Sequence, residues 1–385
     1  MFPVSRLPRR PALRDADDLV AALQTPFSDE QLAAITAPLE PTVIIAGAGT
    51  GKTTVMAARV VWLVGSGQVR PEQVLGLTFT RKAAAELAQR IRTALVRANV
   101  LTGGDTADAG EQVILTYDSF AARLVSEHGL WLGYEAEPTM LTGAARHQLA
   151  ARVVGAATGP FQQLARLQPA SVIDRVLTLD GQLQSHLVDE PALAEQTRSY
   201  LQELAAAPKN RYRQTYASVR RAEATARERL EIASLVRASA DLKHELGLVE
   251  FSDQMAAAAR LADSVALVGH QLREQFRIVL LDEYQDTSSA QAALLSHLFS
   301  GQPGAGHPVT AVGDPFQAIY GWRGAAPSNI MRFATDFPRR DGSPAAVLPL
   351  TVNRRSGPAI LHVANQLAGP LRADASLAYD LSQNL

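Results

Sequence analysis

The chain has 385 residues, no cysteine and a formal net charge of −1 at pH 7. This length allows two or three domains, while the lack of cysteine excludes disulfides, thiolate zinc sites and Fe–S clusters and favours a cytoplasmic protein. A net charge near zero excludes a global basic field, although a local groove can still attract nucleic acid. No uninterrupted apolar run approaches the roughly 20 residues of a membrane span, so no membrane partner is expected.

The N-terminal segment combines arginine with proline and has no apolar signal sequence. Its arginines are Arg6, Arg9, Arg10 and Arg14. We predict that residues 1–20 form a flexible basic arm. A solvated terminus is the favoured interpretation, and a contact with phosphate is the alternative.

A glycine-rich turn follows the apolar residues 43–45 and precedes a predicted helix. Such a turn aims several backbone N–H groups at one point, where the helix dipole adds positive potential. Lys52 is predicted to reach the β- and γ-phosphates of a nucleotide, and the Thr53 hydroxyl is predicted to bind Mg²⁺. The strict pattern begins with glycine, and here alanine holds that place. The predicted phosphate site comprises Ala46, Gly47, Ala48, Gly49, Thr50, Gly51, Lys52, Thr53 and Thr54.

Strands and helices alternate after this turn. The apolar patterns predict a helix over 52–64, a strand over 74–79, a helix over 81–98 and a strand over 113–116. Further along they predict a helix capped by Ser252, a strand over 277–281, a helix over 288–299 and a strand over 308–312. This alternation predicts crossover connections and a parallel sheet, which is an α/β fold.

The middle of the chain, from about residue 144 to residue 246, differs from the rest because it is rich in Ala, Leu, Arg and Gln. We predict a mostly helical insertion there. A basic cluster lies within it, for which a solvated helix face is the favoured interpretation and a nucleic-acid contact is the alternative. The cluster consists of Lys209, Arg211, Arg213, Arg220 and Arg221.

Two carboxylates follow the predicted buried strand 277–281 directly. Ligands of open α/β sheets bind outside the carboxyl ends of the strands, so Asp282 is predicted to hold Mg²⁺ through water and Glu283 to act as general base. Two acids at a strand end are by themselves typical of a solvated turn, but the phosphate loop in the same chain favours ATP or GTP hydrolysis. Gln317, in the turn after the next strand, is predicted to hydrogen-bond the γ-phosphate or the attacking water.

Taken in chain order, seven segments resemble the motifs of the UvrD/Rep family of superfamily 1 DNA helicases. They are residues 27–31 (FSDEQ), 46–54 (AGAGTGKTT), 78–84 (TFTRKAA), 116–120 (TYDSF), 281–287 (LDEYQDT), 313–325 (GDPFQAIYGWRGA) and 353–356 (NRRS). The family's own phosphate loop commonly begins with alanine, which accounts for Ala46. The resemblance implies a RecA-like P-loop NTPase parallel sheet, domain 1A, with an inserted mostly helical domain, 1B. The implied boundaries are 21–130 and 247–350 for domain 1A, 131–246 for domain 1B, and 351–385 for the start of a second motor domain.

The resemblance also implies site residues and an activity. Gln31 would contact adenine and Arg355 would act as an arginine finger, although Arg354 stands where the family usually has a tyrosine that stacks on adenine. Phe79, Tyr320 and Trp322 would stack on DNA bases, and Arg323 would meet phosphate. The implied activity is ATP- and Mg²⁺-dependent translocation on single-stranded DNA, with unwinding at single-strand/duplex junctions in DNA repair or recombination, alongside repair proteins that the sequence does not identify.

Three interpretations remain open at this point. The family continues into a second motor domain, so the chain is expected to be a truncated motor half that binds nucleotide weakly and does not unwind DNA. A second interpretation is the motor subunit of a helicase–nuclease that resects double-strand breaks. A third is a non-motor DNA-binding module on the same fold, against which the retention of Lys52, Asp282 and Glu283 argues.

Overall fold

The computed structural model describes residues 12–100, 111–134, 138–300, 306–321 and 324–372. The chain packs as two compact units. Unit 1 contains the residues up to Phe120 and from Ala262 onward, and unit 2 runs from Ala121 to Leu261. The predicted insertion, residues 131–246, lies inside unit 2, which extends further at both ends.

Eight strands occur among the described residues. They are β1 (Thr42–Ala46), β2 (Val74–Thr78), β3 (Val113–Thr116), β4 (Thr139–Met140), β5 (Leu248–Val249), β6 (Ile278–Leu281), β7 (Val309–Gly313) and β8 (Ala346–Leu350). Six of them form the sheet of unit 1 in the order β3-β2-β6-β7-β1-β8, and every pairing is parallel. Strands β1, β2, β6 and β7 are buried along their whole length, as expected for a parallel sheet covered on both faces. The predicted α/β fold is therefore confirmed.

The three helices predicted within unit 1, over 52–64, 81–98 and 288–299, agree closely with the structure, whereas the other helices of unit 1 were not predicted. The helices are α1 (Ala16–Leu23), α2 (Asp29–Thr36), α3 (Lys52–Gly65), α4 (Arg81–Arg97), α5 (Tyr117–His128), α6 (Gly143–Ala156), α7 (Pro169–His186), α8 (Glu190–Ala205), α9 (Ala217–Glu245), α10 (Phe251–Ser264), α11 (Ala266–Gln275), α12 (Ser289–Phe299), α13 (Ser328–Asp336) and α14 (Pro358–Arg372). Helix α10 begins at Phe251, so the predicted cap at Ser252 is wrong. None of the helices in the described part of the chain has both the length and the apolarity that crossing a membrane requires.

The predicted flexible arm does not extend to residue 20. Asp15 accepts a hydrogen bond from the Asp18 amide and caps helix α1, while Leu13 and Leu19 are almost fully buried in the unit 1 core. The buried leucines and the cap at Asp15 therefore order residues 12–20, despite the prolines and arginines before them. Residues 1–11, where the rest of the predicted arm falls, lie outside the described residues.

Unit 2 is mostly helical, as predicted, and contains one small sheet that was not predicted. Helices α6, α7 and α9 share an apolar core that includes Val153, Val176 and Val236. Strands β4 and β5 pair in parallel, with Thr139 opposite Leu248. Each of these strands has only two residues, which is too short for a periodic sequence pattern to predict.

Candidate functional site

The glycine-rich turn joins strand β1 to helix α3 at the carboxyl edge of the sheet. Gly49 and Gly51 have φ angles of 73° and 90°, in the left-handed region that favours glycine. A Cβ atom at Gly49 would also lie 2.7 Å from the Cβ of Arg355, so that position has no room for a side chain. Ala46 is the last residue of strand β1 and is fully buried, which explains why glycine is not needed there.

Strands β6, β7 and β1 are neighbours in the parallel sheet. Asp282, Glu283 and Gln317, which follow β6 and β7, therefore lie at the same edge as the glycine-rich turn. The Lys52 Nζ lies 3.0 Å from Glu283 Oε2. Asp282 is 7% exposed, and burial, together with the adjacent Glu283 carboxylate, raises its pKa to about 6, although Lys52 partly opposes the shift. Lys52, Asp282 and Glu283 therefore form one charged cluster.

Gln285 connects this cluster to the turn after strand β7. Its Nε2 donates to Glu283 Oε2 at 2.9 Å, and its Oε1 accepts from the Asp314 amide at 3.1 Å. A Cβ at Gly313 would clash with Gln285 Oε1 and push this side chain out of its place between the two segments. Gln317 Nε2 donates to Asp314 Oδ2 at 2.6 Å. Glu283 and Gln317, separated in the sequence, are thus joined by a short chain of hydrogen bonds through Gln285, to which no role was assigned.

Asp286 connects the same cluster to the predicted DNA contacts, because its Oδ2 accepts from Gln285 Nε2 at 3.3 Å. Its Oδ1 accepts from the Ile319 amide at 3.2 Å, the Tyr320 amide also donates to this carboxylate, and burial raises its pKa. Tyr320 stacks on Phe79, with ring centroids 4.8 Å apart, and both residues are half-buried. The structure therefore brings two of the predicted DNA contacts together.

The remaining two predicted contacts, Trp322 and Arg323, lie outside the described residues.

The segment after strand β8 packs on the phosphate loop and on helix α2. The Arg354 amide donates to the Gly49 carbonyl at 2.9 Å, and its guanidinium donates to the Pro26 carbonyl at 3.2 Å. Thr351 donates through its amide and its hydroxyl to the Glu30 carboxylate, at 2.8 and 2.7 Å. Asn353 Nδ2 donates to the Ala48 carbonyl at 2.5 Å, and Asn353 Oδ1 accepts from the Arg355 amide at 2.8 Å, which places the predicted arginine finger beside the loop. Glu30 and Asn353 lie in motifs that the sequence identified, but their own roles were not predicted, because Thr351 and Ala48, their partners here, are distant in the chain.

Gln31, the predicted adenine contact, is 5% exposed and both ends of its amide are engaged. Its Oε1 accepts from the Ser28 amide at 3.1 Å, which completes a capping box at the start of helix α2. Its Nε2 donates to the Thr50 carbonyl at 2.9 Å. Gln31 therefore ties helix α2 to the phosphate loop.

Arg59, to which the sequence analysis gave no role, connects helix α3 to the end of helix α2 and to strand β7. It is fully buried in helix α3. Its guanidinium donates to the carbonyls of Ala34, Ile35, Ala37 and Pro38, and to the Thr310 hydroxyl. Burial lowers its pKa to about 10, so it stays charged at neutral pH and neutralises the carbonyl end of helix α2. A single arginine within the apolar run of helix α3 was the signal available in the sequence.

The acidic edge fits a hard divalent cation. Carboxylate and hydroxyl oxygens are the ligands that Mg²⁺ prefers, and Mg²⁺ bound with a nucleotide takes most of its other ligands from phosphate and water. Asp282 supplies the carboxylate, and Thr53, half-buried in the first turn of helix α3, supplies the hydroxyl. Burial, with the adjacent Glu283 carboxylate, disfavours the charged form of Asp282 and raises its pKa, and a bound cation would favour that charged form. Within the described ranges, no group of three or more His, Cys, Asp or Glu side chains forms an independent metal site.

Comparison with known proteins gives one consistent result. The family model described as UvrD/REP helicase N-terminal domain matches residues 27–338. DNA helicase II of Escherichia coli K12 is 30% identical over 348 residues, which are 90% of this chain and 41% of that protein. The ATP-dependent DNA helicase PcrA of Leuconostoc citreum is 29% identical over 90% of this chain and 39% of that protein. The ATP-dependent DNA helicase UvrD2 of Mycobacterium tuberculosis H37Rv is 28% identical over 93% and 45%, respectively. The chain spans about two fifths of the length of these relatives.

Proposed function

Because this chain belongs to the UvrD/REP helicase family, as its N-terminal-domain match requires, we propose that it is the nucleotide-binding part of an ATP-dependent DNA helicase. The observation that carries this proposal is the meeting of the Lys52 ammonium and the Glu283 carboxylate, 3.0 Å apart, at the sheet edge that also bears Asp282. The relatives named as ATP-dependent DNA helicases support ATP as the nucleotide and DNA as the substrate.

The proposed roles follow from the positions of the side chains. Lys52 and the amides of the glycine-rich turn hold the phosphates. Thr53 and Asp282 hold Mg²⁺, which when bound neutralises charge on the phosphate oxygens. Glu283 orients the attacking water and takes its proton. When phosphates arrive, Lys52 gains a second anionic partner, and the hold of Lys52 on Glu283 weakens.

Gln317 and Arg355 complete the proposed site. Gln317 would respond to the γ-phosphate. Its contact with Asp314 offers a route, through Gln285 and Asp286, by which that response reaches Tyr320. Arg355 would contribute positive charge to the phosphates during hydrolysis. Gln31 and Arg354 would border the base. We propose single-stranded DNA, and junctions with duplex, as the track that Phe79 and Tyr320 contact.

The test is a titration of the chain with a fluorescent ATP analogue and Mg²⁺, followed by ATPase assays with and without a single-stranded oligonucleotide. Wild type is expected to bind the analogue, and Glu283→Gln is expected to keep binding while losing hydrolysis. Lys52→Ala is expected to lose binding. Oligonucleotide binding with no response to nucleotide, together with no binding of the analogue by wild type, would favour a non-motor DNA-binding module instead.

A further inference from the structure

The connection between helices α8 and α9 concentrates positive charge. Between Glu203 and Glu223 the sequence has no acidic residue and five cationic ones. The described ion pairs close to this segment, Arg227 with Glu223 and Arg175 with Glu228, include none of these five side chains. The cations of the connection are Lys209, Arg211, Arg213, Arg220 and Arg221, and all five are exposed. Their charge is therefore available to an anionic partner.

One side chain organises the loop that carries two of these arginines, residues 210–214, here called the Asn210 loop. Asn210 Oδ1 accepts from the amides of Tyr212 and Gln214, at 2.9 and 3.0 Å. The backbone of Asn210 also bonds to Gln214 and Arg213, at 2.9 and 2.8 Å. Arg211, Tyr212 and Arg213 consequently project from a closed turn rather than from a loose connection, so less ordering is required when a ligand binds.

The Asn210 loop holds one residue in an unfavourable backbone conformation. Arg213 has a φ angle of 59°, in the left-handed region that favours glycine and disfavours residues with a Cβ. Strain of this kind persists where the surroundings fix it and is often found at ligand sites. The chain keeps an arginine where glycine would be more stable, which suggests a use for the side chain.

Exposed aromatic rings accompany the charge. Tyr212 is 66% exposed and Tyr216 is 51% exposed, and the Arg211 guanidinium lies 4.7 Å from the centre of the Tyr212 ring. Beside them, Tyr200, Arg221 and Arg229 line a groove of about 380 Å³ between helices α8 and α9. Cations next to exposed rings suit a ligand that has both phosphates and flat bases.

We propose that the Asn210 loop and the adjoining α8–α9 groove bind single-stranded nucleic acid. Tyr212 and Tyr216 stack on bases, and the arginines contact phosphates. A duplex keeps the faces of its bases stacked internally, and an acidic peptide has no bases, so neither would use the exposed rings. The site lies within unit 2 and adds a second surface to the proposed function, without depending on the nucleotide site.

The test measures binding of a fluorescently labelled oligothymidylate to the whole chain, without nucleotide and at several salt concentrations. Tyr212→Ala combined with Arg213→Gly is expected to weaken binding about tenfold or more, because one stacked base is lost. The slope of log K against log salt is expected to fall by about 0.7 for each lost phosphate contact with a single strand. Tyr212→Phe keeps the ring and is expected to bind like wild type.

Three variants separate this site from general charge and from loop stability. Arg213→Gly removes the charge and relieves the backbone, so the melting temperature is expected to stay or rise while affinity falls. Asn210→Ala keeps every charge but loosens the loop, and affinity is expected to fall. Arg152→Ala, at an exposed position of helix α6, is the matched control and is expected to change affinity less than any loop variant.

Photocrosslinking with a 5-iodouracil oligonucleotide is expected to label Tyr212 or Tyr216. Unchanged affinity and salt slope in the Tyr212→Ala, Arg213→Gly double variant would overturn the proposal. An equal loss in Arg152→Ala, or equal losses for duplex and single strand in Tyr212→Ala, would also overturn it. Affinity for the ATP analogue, measured in parallel, should not change in the loop variants. The proposed function fails separately, if Lys52→Ala leaves that affinity intact.

Discussion

Two lysines of this chain lie among carboxylates, and their surroundings differ. Lys52 in unit 1 has one bonded partner, Glu283, whose side chain is 38% exposed. Lys243 in unit 2 contacts Asp180, Glu250 and Asp253 at 2.9, 3.4 and 2.8 Å, and its own side chain is 5% exposed. Burial opposes the charge of Lys243, but the three carboxylates outweigh burial and raise its pKa. Arg146 adds a second cation by pairing with Glu250.

The difference distinguishes a binding site from a structural ion cluster. In unit 2, two cations face three carboxylates, and helices α7, α9 and α10 are tied together by their own side chains. At the edge of unit 1, Lys52 bonds to Glu283 alone among the described residues, and burial, with the Glu283 carboxylate beside it, raises the pKa of Asp282. Each cluster has one carboxylate more than it has cations, so the two differ in exposure: the 38% exposed Glu283 lies beside an anion-binding turn, where we propose that a metal and a phosphate bind.

The largest expected effect concerns the unit 2 cluster of Lys243, Arg146, Asp180, Glu250 and Asp253, here called the closed cluster. Lys243→Met leaves the buried Asp180 and Glu250 and the part-buried Asp253 without their central cation, so it is expected to lower the free energy of unfolding by about 3–5 kcal/mol. Urea unfolding followed by circular dichroism measures this. Arg237→Met, on the same helix α9 and 67% exposed in its pair with Glu190, is the control and should cost less than about 1 kcal/mol. Equal costs would remove the distinction between the two lysines.

The opposite pattern is expected at the unit 1 cluster of Lys52, Asp282 and Glu283, here called the open cluster. Lys52→Ala should weaken binding of the ATP analogue at least about 100-fold, roughly 3 kcal/mol, since a charge-assisted phosphate contact is lost. Its stability should change little, because Glu283 remains hydrated. Lys82→Ala, at a side chain that is 87% exposed in helix α4, should bind the analogue like wild type. A Lys52→Ala variant that unfolds as readily as Lys243→Met would contradict this contrast.

Asp282→Asn should stabilise the protein while weakening its function. The pKa of Asp282 is about 6 in the folded chain and 3.8 in the reference state, so the folded state holds the proton more tightly. Stability therefore falls as the pH rises from about 4 to about 6, and the cost is fully present above that range. The variant should gain about 3 kcal/mol at pH 7 and nothing below pH 4.

Urea unfolding at several pH values measures this gain, with the exposed Asp263→Asn as control. Mg²⁺-dependent affinity for the ATP analogue should fall in Asp282→Asn at the same time. A gain that is independent of pH would show that the buried charge is not its cause.

The smallest expected effect concerns the connection from the open cluster to the DNA contacts. Gln285→Glu keeps an oxygen for the Asp314 amide but no longer donates to Glu283. The change in nucleotide affinity that an oligonucleotide produces should fall about fivefold, roughly 1 kcal/mol of coupling. Titrations of the ATP analogue with and without oligonucleotide measure it. Coupling that is unchanged in this variant would exclude Gln285 as the link.

The sheet and much of the open cluster could be predicted because each polar residue directly follows a continuous apolar strand. Parallel strands bring their carboxyl ends to one edge, so residues 46–54, Asp282, Glu283 and Gln317 had to lie near each other. The extent of the N-terminal arm could not be predicted in this way. Leu13 and Leu19 are ordered by a core whose other members lie elsewhere in the chain.

The contacts that join elements could be seen only in the folded chain. Arg59 and Thr310 are 251 residues apart, and Lys243 and Asp180 are 63 apart. No local pattern marks such partners, since a buried arginine or lysine is identified by what surrounds it in space.

The sequence by itself determined which residues follow strands and turns, because backbone geometry repeats over short distances. The tertiary structure alone decided which charges are buried among partners and which stay exposed, since Coulomb interactions depend on distance and burial rather than on sequence order.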